Sequence, residues 1–241
     1  MASSVKSRRV TKHAPRQTPK IAPRGASFGR DPCADKAAPP AGARKARQAE
    51  RREAILAAAL AEFSARGFTA TRLDDVAQRA GIAKGTIYLY FRDKESLFQE
   101  LIRTMLSPLV GSIEALRDAD VPVRALADRL VELFVREVFE TRRKDVIRLM
   151  ISEGPRFPKL AEFYYREVLS RIIAALRALL RRAHERGELA SDAVLRFPQL
   201  IAAPGIVAII WGGLFDRFEP LDVRAMMQAH VDLLFSKRSG A

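Results

Sequence analysis

From Arg44 onward, apolar side chains return every three or four positions and never settle into a two-residue alternation. That spacing lines up one face of a helix, whereas a half-buried strand needs a period of two. Asn-Gly and Asp-Gly, the strongest hairpin-closing dipeptides, are absent as well. An all-α fold is therefore expected. The first helix carries Ile55, Leu56, Ala59, Leu60 and Phe63 on one face and is expected to stop at Gly67, a natural left-handed cap. After Lys94 the pattern predicts helices over about 94–107, 109–118, 122–140, 142–153, 159–187, 192–217 and 222–236, punctuated by Pro108, Pro122, Pro155, Pro158 and Pro220.

Between these two regions lies "TATRLDDVAQRAGIAKGTIYLYFRDKESLF", residues 69–98. Thr71 precedes Asp74 by three positions and suggests a capping box. Leu73, Val76 and Ala77 give a short apolar face, Gly81 breaks the chain, and a second short helix starts near Ala83. Two short helices around a tight glycine turn, after a longer one, read as a helix-turn-helix. At 100° per residue, Ala83, Ile87 and Phe91 fall on the core side of the last helix. Gly85 and Leu89 fall opposite, flanked by Lys84 and Tyr88 on one edge and Thr86 and Tyr90 on the other. A bare centre rimmed by hydrogen-bond donors suits a DNA major groove. Gly85 permits close approach, Leu89 can meet a thymine methyl, and Thr86 or Lys84 can reach base edges. Tyr88, Tyr90 and Lys94 are placed for phosphates.

Charge points the same way. The net charge is +14, yet residues 105–241 hold twenty-one Lys/Arg against eighteen Asp/Glu. Residues 1–43 alone hold nine against two and six of the thirteen prolines; this segment is expected to be a disordered basic tail. A basic N-terminal half favours a polyanion. The single cysteine, Cys33, allows no intrachain disulfide and fits a reducing, cytoplasmic compartment. His13, His184 and His230 are far apart with no partner at metal spacing, so neither metal nor cofactor is expected, and no phosphate loop or nucleophile motif supports an enzyme. The uncharged run 198–215 reaches the lower length limit of a membrane span, but its two prolines and three glycines favour a buried helix.

The stretch from about Arg51 to Leu97, through "AAALAEFSARGFTATR", "DDVAQRAGIAKGTIYLYF" and "KESLF", resembles the DNA-binding domain of TetR-family transcriptional regulators. The resemblance implies DNA contacts at Thr71, Lys84, Gly85, Thr86, Tyr88, Tyr90 and Lys94. Arg72 stands where the family usually has a second threonine; either Thr71 alone caps the second helix or Arg72 adds a contact. Ala83 replaces the usual serine. The domains implied are a tail over 1–43, a three-helix DNA-binding domain over 44–93, and a helical ligand-binding and dimerisation domain over 94–241.

On that resemblance the last two long helices pair with those of a second copy, and the homodimer reads a palindromic double-stranded operator. A small-molecule ligand would release it, making the protein a repressor. A constitutive regulator, or one controlled by a protein partner, is the alternative; a nucleoid-type or RNA-binding protein driven by the basic tail is a third reading. Candidate ligand-lining residues are Met105, Phe134, Met150, Glu153, Phe157, Tyr164 and Trp211, and the helix-interior Pro204 is expected to mark a kink beside a cavity.

Overall fold

The computed structural model describes residues 41–117, 119 and 121–235; the basic tail, with His13 and Cys33, lies outside them. Among the described residues eleven α-helices follow one another and no strand occurs. They are α1 (Ala41–Ala70), α2 (Leu73–Arg79), α3 (Lys84–Ile87), α4 (Lys94–Arg117), α5 (Val123–Phe134), α6 (Arg143–Glu153), α7 (Pro158–Tyr164), α8 (Ser170–Glu185), α9 (Ala193–Arg196), α10 (Gln199–Leu214) and α11 (Val223–Phe235). The all-α expectation holds, and the helical conformation of α1 is interrupted at Gly67, where φ is +73°.

The helix expected over 192–217 is broken at Phe197–Pro198 into α9 and α10, and two further boundaries differ for physical reasons. Pro108 does not end a helix: α4 runs through it. An interior proline costs about 3 kcal/mol, but Leu101, Ile102, Leu106, Leu109, Val110 and Ile113 bury on both sides of it, and Pro108 itself faces out. The long helix expected over 159–187 is α7 and α8 joined by a π-helical turn at Tyr165–Leu169, and α5 continues into a second π turn at Val135–Phe139. Such turns insert one residue and rotate the side chains that follow.

The core does not divide at residue 93. Ile55, Phe63, Val76, Ile87, Leu97 and Phe98 share one buried cluster with Val146, Leu149, Leu160 and Phe163. α1 packs on α6, and α4 on α8. Helices α2 and α3 thus stand on the same apolar mass as the helices behind them.

Candidate DNA-recognition face and ligand cavity

The corner that presents α2 and α3 is built by packed rings and one ammonium. Phe63, Phe68 and Phe98 contact one another at centroid distances of 5.2–5.5 Å, and Phe157 meets Phe68 edge-on at 4.6 Å. The Lys94 ammonium sits 4.8 Å from the Phe68 ring and donates to the carbonyls of Phe68, Thr69 and Thr71 at 2.8, 2.8 and 3.3 Å. Burial holds its pKa below the usual lysine value, with the Glu153 carboxylate opposing the shift. Lys94 therefore closes the end of α1 instead of reaching outward to phosphate. Thr71 is also corrected: it is buried, and its hydroxyl donates to the Gly67 carbonyl at 2.8 Å, so the helix it was expected to cap begins after Arg72 with no side-chain cap.

Glu62, 4 % exposed, ties α2 across α1 by accepting from Arg79 at 2.6 Å, with Arg66 at 3.4 Å bridging on to Asp75 at 3.3 Å. α2 ends where Gly81 takes a φ of +67°. There the Gly81 and Ile82 amides donate to the carbonyls of Gln78 and Ala77, the paired bonds of a Schellman cap. α3 is one turn, extended by turn hydrogen bonds from Leu89 to Thr86 and from Tyr90 and Phe91 to Ile87. Ile87 and Phe91 are buried, whereas Leu89 is 84 % exposed. No atom lies within 4 Å of where a Cβ on Gly85 would sit. Ala83, expected on the core side, is instead the exposed residue before the helix.

At the rim Tyr88 is half exposed, Thr86 half-buried, and Tyr90 packs partly on the core. Lys84 pairs with Asp74 at 2.7 Å, a hydrogen bond that raises its pKa. Arg72 is exposed beside it. Residues 42–54 of α1 are exposed or half-exposed, and Arg44, Arg47 and Arg51 share one face by their spacing.

A cavity of about 180 Å³ is lined by residues of α4, α5, α6, α7, α8, α10 and α11 and of the two π turns. Of the seven expected ligand residues only Phe134 and Tyr164 line it. Met105, Met150 and Phe157 belong to the core under α2 and α3, and Glu153 lies against Gly67. Trp211 donates its indole N–H to the Glu219 carbonyl at 2.8 Å. These five stand away from this cavity, whose wall is mostly Leu, Ile and Val. Pro204 does line the cavity, and beside it Gly205 lets α10 approach Phe134, whose ring would stand 2.9 Å from a Cβ there. α10 is apolar around its whole circumference, yet only one side is buried; Ile206, Val207, Ile210 and Leu214 are exposed, against the expectation of a buried helix. No helix among the described residues is long and apolar enough to cross a membrane, and none of their His, Cys, Asp and Glu side chains form a metal-binding group.

The profile of bacterial regulatory proteins of the tetR family matches residues 55–101, and that of a tetracyclin repressor-like C-terminal domain matches 122–229. The HTH-type transcriptional repressor BepR of Brucella suis is 35% identical over 156 residues, covering 61% of this chain and 73% of BepR. The chain belongs to the TetR family. This TetR-family chain also matches the regulator RutR of Escherichia coli, at 29% identity over 120 residues, which is 50% of this chain and 49% of RutR. The crystal structure of the regulator FadR from Bacillus subtilis in complex with stearoyl-CoA shares the fold at a TM-score of 0.63 and 20% identity, over 76% of this chain and 97% of that one. The TetR-family chain is a DNA-binding transcriptional regulator and not an enzyme.

Proposed function

We propose that this regulator is a cytoplasmic homodimeric repressor that sets two copies of α3 on a palindromic operator and lets go when a small molecule fills the cavity. The observation that carries the reading is the split of α3: buried Ile87 and Phe91 on one side, open Gly85 and an 84 % exposed Leu89 on the other. An exposed leucine on a rigidly held turn has no packing role, but it can contact base edges in a groove. Thr86 and Lys84 read bases, Tyr88 and Tyr90 hold phosphates, and Arg72 and the Arg44, Arg47 and Arg51 face add contacts to the backbone. Lys84 exchanges Asp74 for the duplex on binding.

The second copy is argued from α10. A helix apolar all round is normally covered on all sides, and its exposed face would be covered by the same face of a partner about a two-fold axis. Small-molecule release follows from a cavity whose walls include α10 and α11, the helices of that interface. A ligand preferring one spacing of the two copies shifts the equilibrium only by that preference.

Selection of bound duplexes from a random library tests the reading. It should return a palindrome whose half-sites are about one helical turn apart. Tyr88→Phe should weaken every sequence alike, whereas Thr86→Ala should relax base choice. Enrichment of no sequence, or equal discrimination in both variants, would overturn it.

A further inference from the structure

We infer that the cavity takes a compact, uncharged molecule built on about one ring, with a single hydrogen-bonding group that Tyr164 meets. The inference rests on the cavity being the effector site proposed above and adds the chemistry of what enters it. Among the lining residues there is no Lys, Arg, Asp or Glu; Tyr164 and His230 are the polar side chains, and the rest are aliphatic, aromatic, Met, Pro or Gly. Burying a carboxylate or phosphate against such a wall, with no cation to pair it, costs several kcal/mol or more. An acid or a coenzyme A thioester is therefore the wrong partner.

Size narrows the choice. A dry apolar cavity of about 150 Å³ holds benzene, and drug-sized pockets run to about 300 Å³ and above. At about 180 Å³ this one suits a substituted single ring.

The polar handle is specific. The His230 ring already has its Nε2 against the Leu200 carbonyl at 2.9 Å. Tyr164 is half-buried, its phenol pushed up to about 12 by burial, and its hydroxyl has no hydrogen-bond partner among the described residues. A neutral phenol in such surroundings lacks a mate. Tyr164 also immediately precedes the π turn Tyr165–Leu169, and Phe134 precedes the other, so both backbone irregularities flank the cavity wall. Single π turns inside helices recur at binding sites.

Three probes of one shape decide the matter by calorimetry on the full chain: p-xylene, p-cresol and p-toluate. Both neutral compounds should bind, p-cresol more tightly, and p-toluate should bind at least tenfold more weakly than p-cresol. Tyr164→Phe should weaken p-cresol about fivefold and leave p-xylene unchanged, the loss of one hydrogen bond. Ala127→Leu, filling the wall, should abolish both without lowering affinity for the selected operator. Binding of p-toluate or stearoyl-CoA as tightly as p-cresol, no binding of either neutral probe, or equal effects of Tyr164→Phe on both would overturn the inference. Operator release is read separately: p-cresol that binds without releasing DNA supports this assignment and counts against the effector reading alone.

Discussion

The region from α1 to the start of α4 and the region from α10 to α11 solve opposite problems with the same helical material. In the first, the centre is filled and the surface proposed to meet DNA stands outside it. Phe63, Phe98, Ile55 and Ile87 are fully buried, Glu62 and Lys94 are tied to named partners, and Gly85 and Leu89 are left open. In the second, the centre is left partly unfilled and the outside is apolar. On the proposed function, specificity for DNA rests on what this fold presents, and responsiveness on what it leaves unfilled.

The comparison breaks most visibly at α10. Val207 and Leu214 are exposed in one copy, so glutamates there cost the isolated fold nothing. In a symmetric dimer each substitution buries two unpaired charges, at several kcal/mol in total, or about a thousandfold in the dimer constant. Val207→Glu with Leu214→Glu should yield monomers in sedimentation with unchanged helicity, and operator binding should collapse. An unaltered dimer would mean that the face meets something else.

Truncating one phenylalanine in each region sharpens the contrast. Phe63→Ala removes a fully buried ring from a filled core and should cost about 4 kcal/mol. Phe134→Ala enlarges a void that already exists and should cost about half as much, roughly 2 kcal/mol. Thermal or denaturant unfolding reads both, and equal losses would mean the two regions are packed alike.

Legibility in the sequence follows the same divide. The α2–turn–α3 unit was readable because its signals are local. Gly81 ends one helix, and the alternation of Ile87 and Phe91 with Gly85 and Leu89 assigns the faces of the next. Lys94 was misread because its three carbonyl partners lie 23–26 residues upstream, beyond any local pattern. The cavity was misread for a deeper reason. A cavity is volume that seven helices fail to fill, and that depends on their mutual register. Residue type led to Met105, Met150 and Trp211, while the wall is made by Ile113, Leu130 and Ile209. Pro204 was the one local sign that pointed to the right place.

Lys94→Met tests the reassignment directly. Its ammonium holds three carbonyls at the end of α1, so the change should destabilise the fold by about 1–3 kcal/mol. If Lys94 instead neutralised a phosphate, the slope of log affinity against log salt would fall by about 0.9 per copy. The expected outcome is lower stability with an unchanged slope.

The smallest effect belongs to a cap that was written in the sequence and went unread. Asp93 and Ser96, three apart, cap α4 reciprocally: the Ser96 amide donates to the Asp93 carboxylate at 2.7 Å, and the Asp93 amide to the Ser96 hydroxyl at 3.3 Å. The amide bond from Ser96 is the chief reason the Asp93 carboxyl lies below its ordinary pKa. A carboxylate lowered in the folded state contributes fully above the unfolded value, near 4, and its contribution fades as the pH falls through the lowered folded value. Asp93→Ala should therefore cost about 1 kcal/mol at pH 7, and the gap between variant and parent should narrow as the pH falls below 4. A gap that stays constant down to pH 2 would mean the carboxylate's charge adds nothing to the cap, leaving the Ser96 hydroxyl and the packing of Leu97 and Phe98 to start the helix.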